Sequence, residues 1–68
     1  MRTKYLSILG HRVRARRERL SLSQTMLARR AAVHPNVVGR LERGTYNPTV
    51  LTLQAIAIAL GVPLHKLV

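Results

Sequence analysis

The sequence predicts a single, all-α domain, and three observations carry that prediction. The chain has 68 residues, enough for one compact domain and too few for two, so every apolar stripe must share one core. Apolar residues recur at helical rather than strand spacing. Serine, threonine, proline and glycine fall where helices start and stop.

Leu6, Leu9, Val13 and Leu20 recur at helical spacing with arginines between them, which predicts an amphipathic first helix over 6–20 with an arginine-rich outer face. Residues 1–5 are then a basic arm, and 6–68 the domain. Ser21 and Ser23 break the pattern, and Ser23 is placed to cap a second helix over 24–31, its hydroxyl accepting from the free amides there. Leu27, Ala28 and Ala31 face inward on that helix. Residues 32–34 form a turn before Pro35, whose missing N–H suits the first position of a third helix over 35–43. Val38 and Leu41 give this helix a narrow buried edge, and Gly44 ends it. A loop leads to Asn47 or Thr49 as the cap of a fourth helix that runs to Leu60 and stops at Gly61; apolar nearly all round, it is either the central core helix or half of a subunit contact. Pro63 starts a last short turn. The expected core is Leu9, Val13, Leu20, Leu27, Val33, Val38, Leu41, Leu53, Ile56, Leu60 and Leu64.

Twelve lysines and arginines stand against two acids, a formal net charge of +10. Arg2, Lys4, Arg12, Arg14, Arg16, Arg17 and Arg19 crowd the first third, Arg29, Arg30, Arg40 and Arg43 the middle, and Lys66 alone lies beyond Tyr46. Such a one-sided field implies a polyanionic partner. The absence of cysteine removes disulfides, cysteine zinc sites and thiol catalysis, and suits a reducing cytoplasm. No cleavable leader follows the basic N-terminus. The longest apolar stretch, from Val50 to Leu60, falls well short of the roughly 20 residues that span a bilayer. His11, His34 and His65 are scattered without carboxylates beside them, so neither a metal site nor a catalytic relay has its parts. With no aspartate and no glycine-rich phosphate loop, the chain reads as a non-enzyme that needs no cofactor and binds no small molecule.

Two short helices joined by a tight turn make a helix-turn-helix unit, whose second helix can enter a major groove roughly 12 Å wide. The segment QTMLARRAAVHPNVVGRLER, residues 24–43, fits it: Leu27, Ala31, Val33, Val38 and Leu41 point inward, and Ala28 is small enough for the helices to cross closely. The third helix then presents Asn36, Val37, Gly39, Arg40 and Arg43 elsewhere. Asparagine can bond adenine, and arginine guanine, through two hydrogen bonds each.

With LGHRVRARRERLSLSQ, MLARRAAV and VVGRLERGTYNPTVLTLQAIAIALGV in the same order as that family's elements, nearly the whole chain resembles the Cro and lambdoid phage repressor type of helix-turn-helix domain. The resemblance implies a five-helix fold and a homodimer on a two-fold symmetric operator in double-stranded DNA. It implies that Gln24, with Ser23 and Thr25 at the start of the second helix, touches a phosphate, which helix N-terminal physics supports. Asn36 and Arg40 match base-reading positions. Val37 is either a partner for a thymine methyl or a second buried valine, and His34 can add to the readout. Arg43, Thr45 and Tyr46 match a stretch that tracks the sugar-phosphate backbone. Glu42, at the negative end of a helix that approaches phosphates, needs a cation, and the resemblance supplies Arg17 as its structural partner. Glu18 pairs with Arg14 one turn away.

Four positions depart from the family pattern. Ala32 and Ser21 stand where glycine is usual, and a positive φ there costs a residue with a Cβ roughly 1 kcal/mol. Gly39 replaces a polar residue and brings the helix backbone nearer the DNA. Pro35 takes a position that often reads a base, leaving readout to Asn36, Arg40 and His34. A rival from another class is an antitoxin of the same fold whose main task is to silence a partner protein; such a chain more often carries an extra segment, whereas here the domain fills the sequence. Membrane-surface binding by the basic first helix lacks aromatic anchors and leaves the motif unexplained. The apolar excess of Val62, Leu64, Leu67 and Val68 points to a subunit contact.

Overall fold

Four α-helices wrap one core in a computed structural model that describes residues 4–68. They are α1 (Lys4–Arg19), α2 (Gln24–Ala31), α3 (Pro35–Glu42) and α4 (Val50–Leu60), followed by a 3₁₀ turn at Leu64–Lys66. The fold is the all-helical one expected, except that the fifth helix is this single three-residue turn. α1 takes in Lys4 and Tyr5 of the expected basic arm; residues 1–3 of that arm lie outside the described residues. α3 stops at Glu42, and Arg43 is the residue beyond its end.

Each helix start has a local cause. The Ser23 hydroxyl accepts from the Met26 amide at 3.0 Å, and the Thr49 hydroxyl from the Thr52 amide at 3.1 Å, so Thr49 rather than Asn47 caps α4. α3 is capped by His34, whose Nδ1 accepts from the Asn36 amide at 3.1 Å, with Pro35 in the first turn.

All four helices end in the same way. The amides of Leu22, Val33, Thr45 and Val62 reach back to the carbonyls of Arg17, Ala28, Arg40 and Ala57 at 3.0–3.1 Å. Ser21, Ala32, Gly44 and Gly61, one residue before, donate to Glu18, Arg29, Leu41 and Ile58. This is the Schellman motif, and it needs a left-handed residue at its centre. The φ angles there are 58°, 57°, 74° and 71°. Two of the four motifs thus run through glycine, while Ser21 and Ala32 hold the conformation with a Cβ, each at a cost of about 1–2 kcal/mol.

The first motif also corrects the core. Leu20 was expected inside because it continues the α1 spacing, yet it is 47% exposed, whereas Leu22 is 5% exposed. The helix stops at Arg19 and the left-handed turn at Ser21 reverses the chain, so Leu22, whose amide donates to the Arg17 carbonyl, is the residue turned inward. Leu9, Val13, Leu27, Val38, Leu41, Leu53, Ile56 and Leu60 are buried as expected, joined by Ala28, Ala31 and Ala57. Val33 and Leu64 pack against this cluster half-buried rather than within it.

The apolar excess at the C-terminus has a different use from the one expected. Leu67 is fully buried in the chain's own core, and Val62 and Leu64 pack against it; of the four residues invoked for a subunit contact, Val68 is exposed. The uncovered apolar surface lies instead on α4, where Leu51 and Ile58, two turns apart on one face, are 78% and 72% exposed beside exposed Val50.

Candidate nucleic-acid interface

α3 is held by Val38 and Leu41, both fully buried, and the geometry of an α-helix then decides what it shows. Asn36, Arg40 and Arg43, at i, i+4 and i+7, form one exposed stripe opposite that edge. α2 packs against α3 across the turn that Ala32 closes, and α1 packs on α3 from another side.

The contact between α1 and α3 is unusually close because of Gly10. A Cβ there would lie 2.5 Å from the carbonyl oxygen of Leu41 and 2.7 Å from that of Glu42, so no other residue fits without moving one helix. Two turns further along α1, a charge pair closes the same seam. Arg17 Nε donates to Glu42 Oε2 at 2.6 Å and Nη2 to Oε1 at 2.9 Å, a bidentate pair with side chains only 11% and 4% exposed. Arg17 Nη1 donates to the Leu22 carbonyl at 2.8 Å, and Gln24 Nε2 to Glu42 Oε1 at 3.1 Å. Bonding to Glu42 raises the Arg17 guanidinium above its ordinary pKa, against the opposing pull of burial. The end of α1, the turn after it, the start of α2 and the end of α3 are thus tied at one carboxylate.

The pattern of the helix-turn-helix family matches residues 13–67. The chain belongs to the helix-turn-helix family. It is 37% identical over 60 residues to an immunity repressor protein of Bacillus phage phi105, covering 88% of this chain and 42% of that one; the chain therefore spans less than half the length of that relative. Its fold matches the restriction-modification controller protein C.AhdI from Aeromonas hydrophila with a TM-score of 0.90 at 32% identity, over 93% and 96% of the two chains. SinR, a master regulator for biofilm formation solved in complex with DNA, matches with a TM-score of 0.83 at 28% identity, over 87% and 95%. The resemblance to the Cro and phage repressor type read from the sequence is borne out.

In this helix-turn-helix protein the residues singled out from sequence fall into three groups. Asn36, Arg40 and Arg43 share the stripe, with Val37 half-buried on its flank and His34 engaged as the α3 cap. Ser23, Gln24 and Thr25 sit together at the start of α2; the cap at Met26 leaves the amides of Gln24 and Thr25 at the helix mouth, and Gln24 retains a second Nε2 hydrogen beyond the one given to Glu42. Thr45 is exposed, and its hydroxyl and amide both donate to the Arg40 carbonyl, at 3.1 and 3.0 Å.

Three contacts around α3 escaped the sequence reading. The Tyr46 ring, half-buried against the core, lies 5.5 Å below the Arg40 guanidinium and gives that side chain a platform. Gly39 is covered rather than bare: a Cβ there would meet the Arg43 guanidinium at 3.3 Å and the Gln24 amide at 3.4 Å, so these two side chains lie over the helix backbone. Gly10 carried a signal, since an isolated glycine inside an amphipathic helix costs about 1 kcal/mol and needs a packing reason.

Proposed function

We propose that the chain reads a two-fold symmetric operator in double-stranded DNA, with α3 in the major groove and Asn36 and Arg40 as the base readers. Its general class, DNA-binding transcriptional regulator, follows from the family to which it belongs. The observation that carries the finer reading is the exposed Asn36, Arg40 and Arg43 stripe on a helix whose opposite edge is clamped by Val38 and Leu41. Asn36 has the donor and acceptor to pair with adenine, and Arg40, held on Tyr46, has the fork that fits guanine O6 and N7. Val37 lies where a thymine methyl would meet its outer face, and His34 can offer Nε2 while Nδ1 caps the helix. The amides of Gln24 and Thr25, with the hydroxyl of Ser23, suit a phosphate at the α2 N-terminus. Arg43 and Tyr46 flank the groove wall, and Thr45 joins them by turning its hydroxyl out from the Arg40 carbonyl.

Two copies are needed for such an operator. The longest dimension of the described chain is 28 Å, shorter than the roughly 34 Å between successive major grooves on one face of DNA. The uncovered face of α4, with Val50, Leu51 and Ile58, is the surface we assign to the second copy. Both glutamates are engaged by arginines, Glu42 by Arg17 and Glu18 by Arg14, so no free acid supports a catalytic role, and we infer a non-enzyme. No helix among the described residues is long and apolar enough to cross a membrane, and we place the protein with its DNA in the cytoplasm.

Selection of bound sites from random duplex DNA tests this directly. A two-fold symmetric consensus is expected. Arg40→Ala relaxes one position of it at a cost of about 1–3 kcal/mol, while Gln24→Ala weakens all sequences alike. An equal loss on specific and random DNA for both variants would overturn the assignment. A chain that stays monomeric by sedimentation on its selected site would remove the second copy.

A further inference from the structure

A cleft of about 320 Å³ opens beside the end of α3, lined by Ser7, His11 and Arg14 of α1 and by Glu42, Arg43 and Thr45. From this geometry we infer a seat for a DNA backbone phosphate, in which α1 supplies Ser7, His11 and Arg14 and the end of α3 supplies Arg43. The inference rests on the proposed docking of α3 and adds to it a wall built by the first helix.

Three observations support it. Ser7, His11 and Arg14 follow at i, i+4 and i+7, so they present one face of α1 to the cleft. Arg43 is also the last member of the Asn36 and Arg40 stripe, which puts the cleft where the groove wall would pass. The lining is a hydroxyl, an imidazole and two guanidiniums, the donor set that suits phosphate oxygens. Glu42, the acid in the wall, does not spoil the field because both its oxygens are taken by Arg17 and Gln24. Glu18 holds Arg14 through Nε at 3.1 Å, with both side chains more than half exposed, which leaves the Nη groups for a ligand.

Fluorescence anisotropy of the full chain with a short random-sequence duplex, followed against salt, tests the inference. Each phosphate neutralised contributes about 0.9 to the slope of log K against log salt. Arg14→Ala is expected to make that slope shallower by about one. His11→Ala, which removes a donor from the same wall, is expected to weaken binding of that duplex. Affinity and slope identical to wild type for both variants would overturn the seat and leave the α3 reading standing. A wild-type protein that binds no duplex would overturn both.

Discussion

Replacing Glu42 by alanine should strip this domain of a large part of its stability. The substitution removes two charge-assisted bonds from Arg17, at 2.6 and 2.9 Å, and one bond from Gln24. It leaves the Arg17 guanidinium 11% exposed with the Leu22 carbonyl as its remaining partner. Removing one member of a buried pair costs about 3–5 kcal/mol, because the survivor is left charged and poorly solvated. The Leu22 bond and the residual exposure place the expected loss near the lower end, at about 3 kcal/mol. A 68-residue domain has roughly 3–10 kcal/mol in total. Urea unfolding followed by far-ultraviolet circular dichroism should show a lower midpoint with an unchanged slope. Glu42→Gln keeps one acceptor for Arg17, so it should lose less and remain folded if the alanine variant does not. A loss below about 1 kcal/mol for Glu42→Ala, the value of an exposed pair, would refute the reasoning that this carboxylate ties the helices together. The raised pKa of Arg17 contributes stability that is lost only as pH rises through that folded value, far above the working range, so the pair should be insensitive to mild alkali.

Other outcomes follow from backbone and packing. Ala32→Gly relieves a left-handed alanine whose side chain is exposed; strain relief of about 1–2 kcal/mol less the added freedom of the unfolded chain leaves a gain of about 0.5–1 kcal/mol. That gain should raise the Tm by roughly 3–6 °C in calorimetry, and an unchanged or lower Tm would count against it. Gly10→Ala should destabilise by at least about 1 kcal/mol despite alanine's helix propensity, because its Cβ meets two carbonyl oxygens of α3; a neutral result in the same melt would show that α1 slides freely on α3. Leu22→Ala should cost about 2–4 kcal/mol and Leu20→Ala under about 1, and the reverse order in urea would overturn the turn geometry at Ser21.

Much of this molecule was legible in its residues because the relevant forces are local. Pro35, Ser23 and Gly61 act on the amides and carbonyls nearest them, so the starts of α2 and α3 and the end of α4 fall where the sequence placed them, and Thr49 is one of the two caps left open for α4. Helical spacing likewise placed Val38 and Leu41 inward and left Asn36 and Arg40 outward. The charge imbalance and the resemblance to a known family supplied the functional class. Leu20 was placed in the core and Leu22 passed over because periodicity continues a helix until something stops it, and a serine in left-handed conformation gives little local warning. Leu67 was assigned to another subunit because counting apolar residues cannot say which of them one core will absorb.

The sequence alone thus determined the helices, the class of partner and the stripe on α3. Only the tertiary structure decided that Gly10 lets α1 touch the end of α3, that Tyr46 lies under Arg40, and that Ser7, His11 and Arg14 face Arg43 across a cleft. The first and the third join residues about thirty positions apart, and Tyr46 meets Arg40 only because the chain turns back after α3. Their proximity depends on how the helices cross, which is set by the summed packing of the core and not by any short stretch of chain.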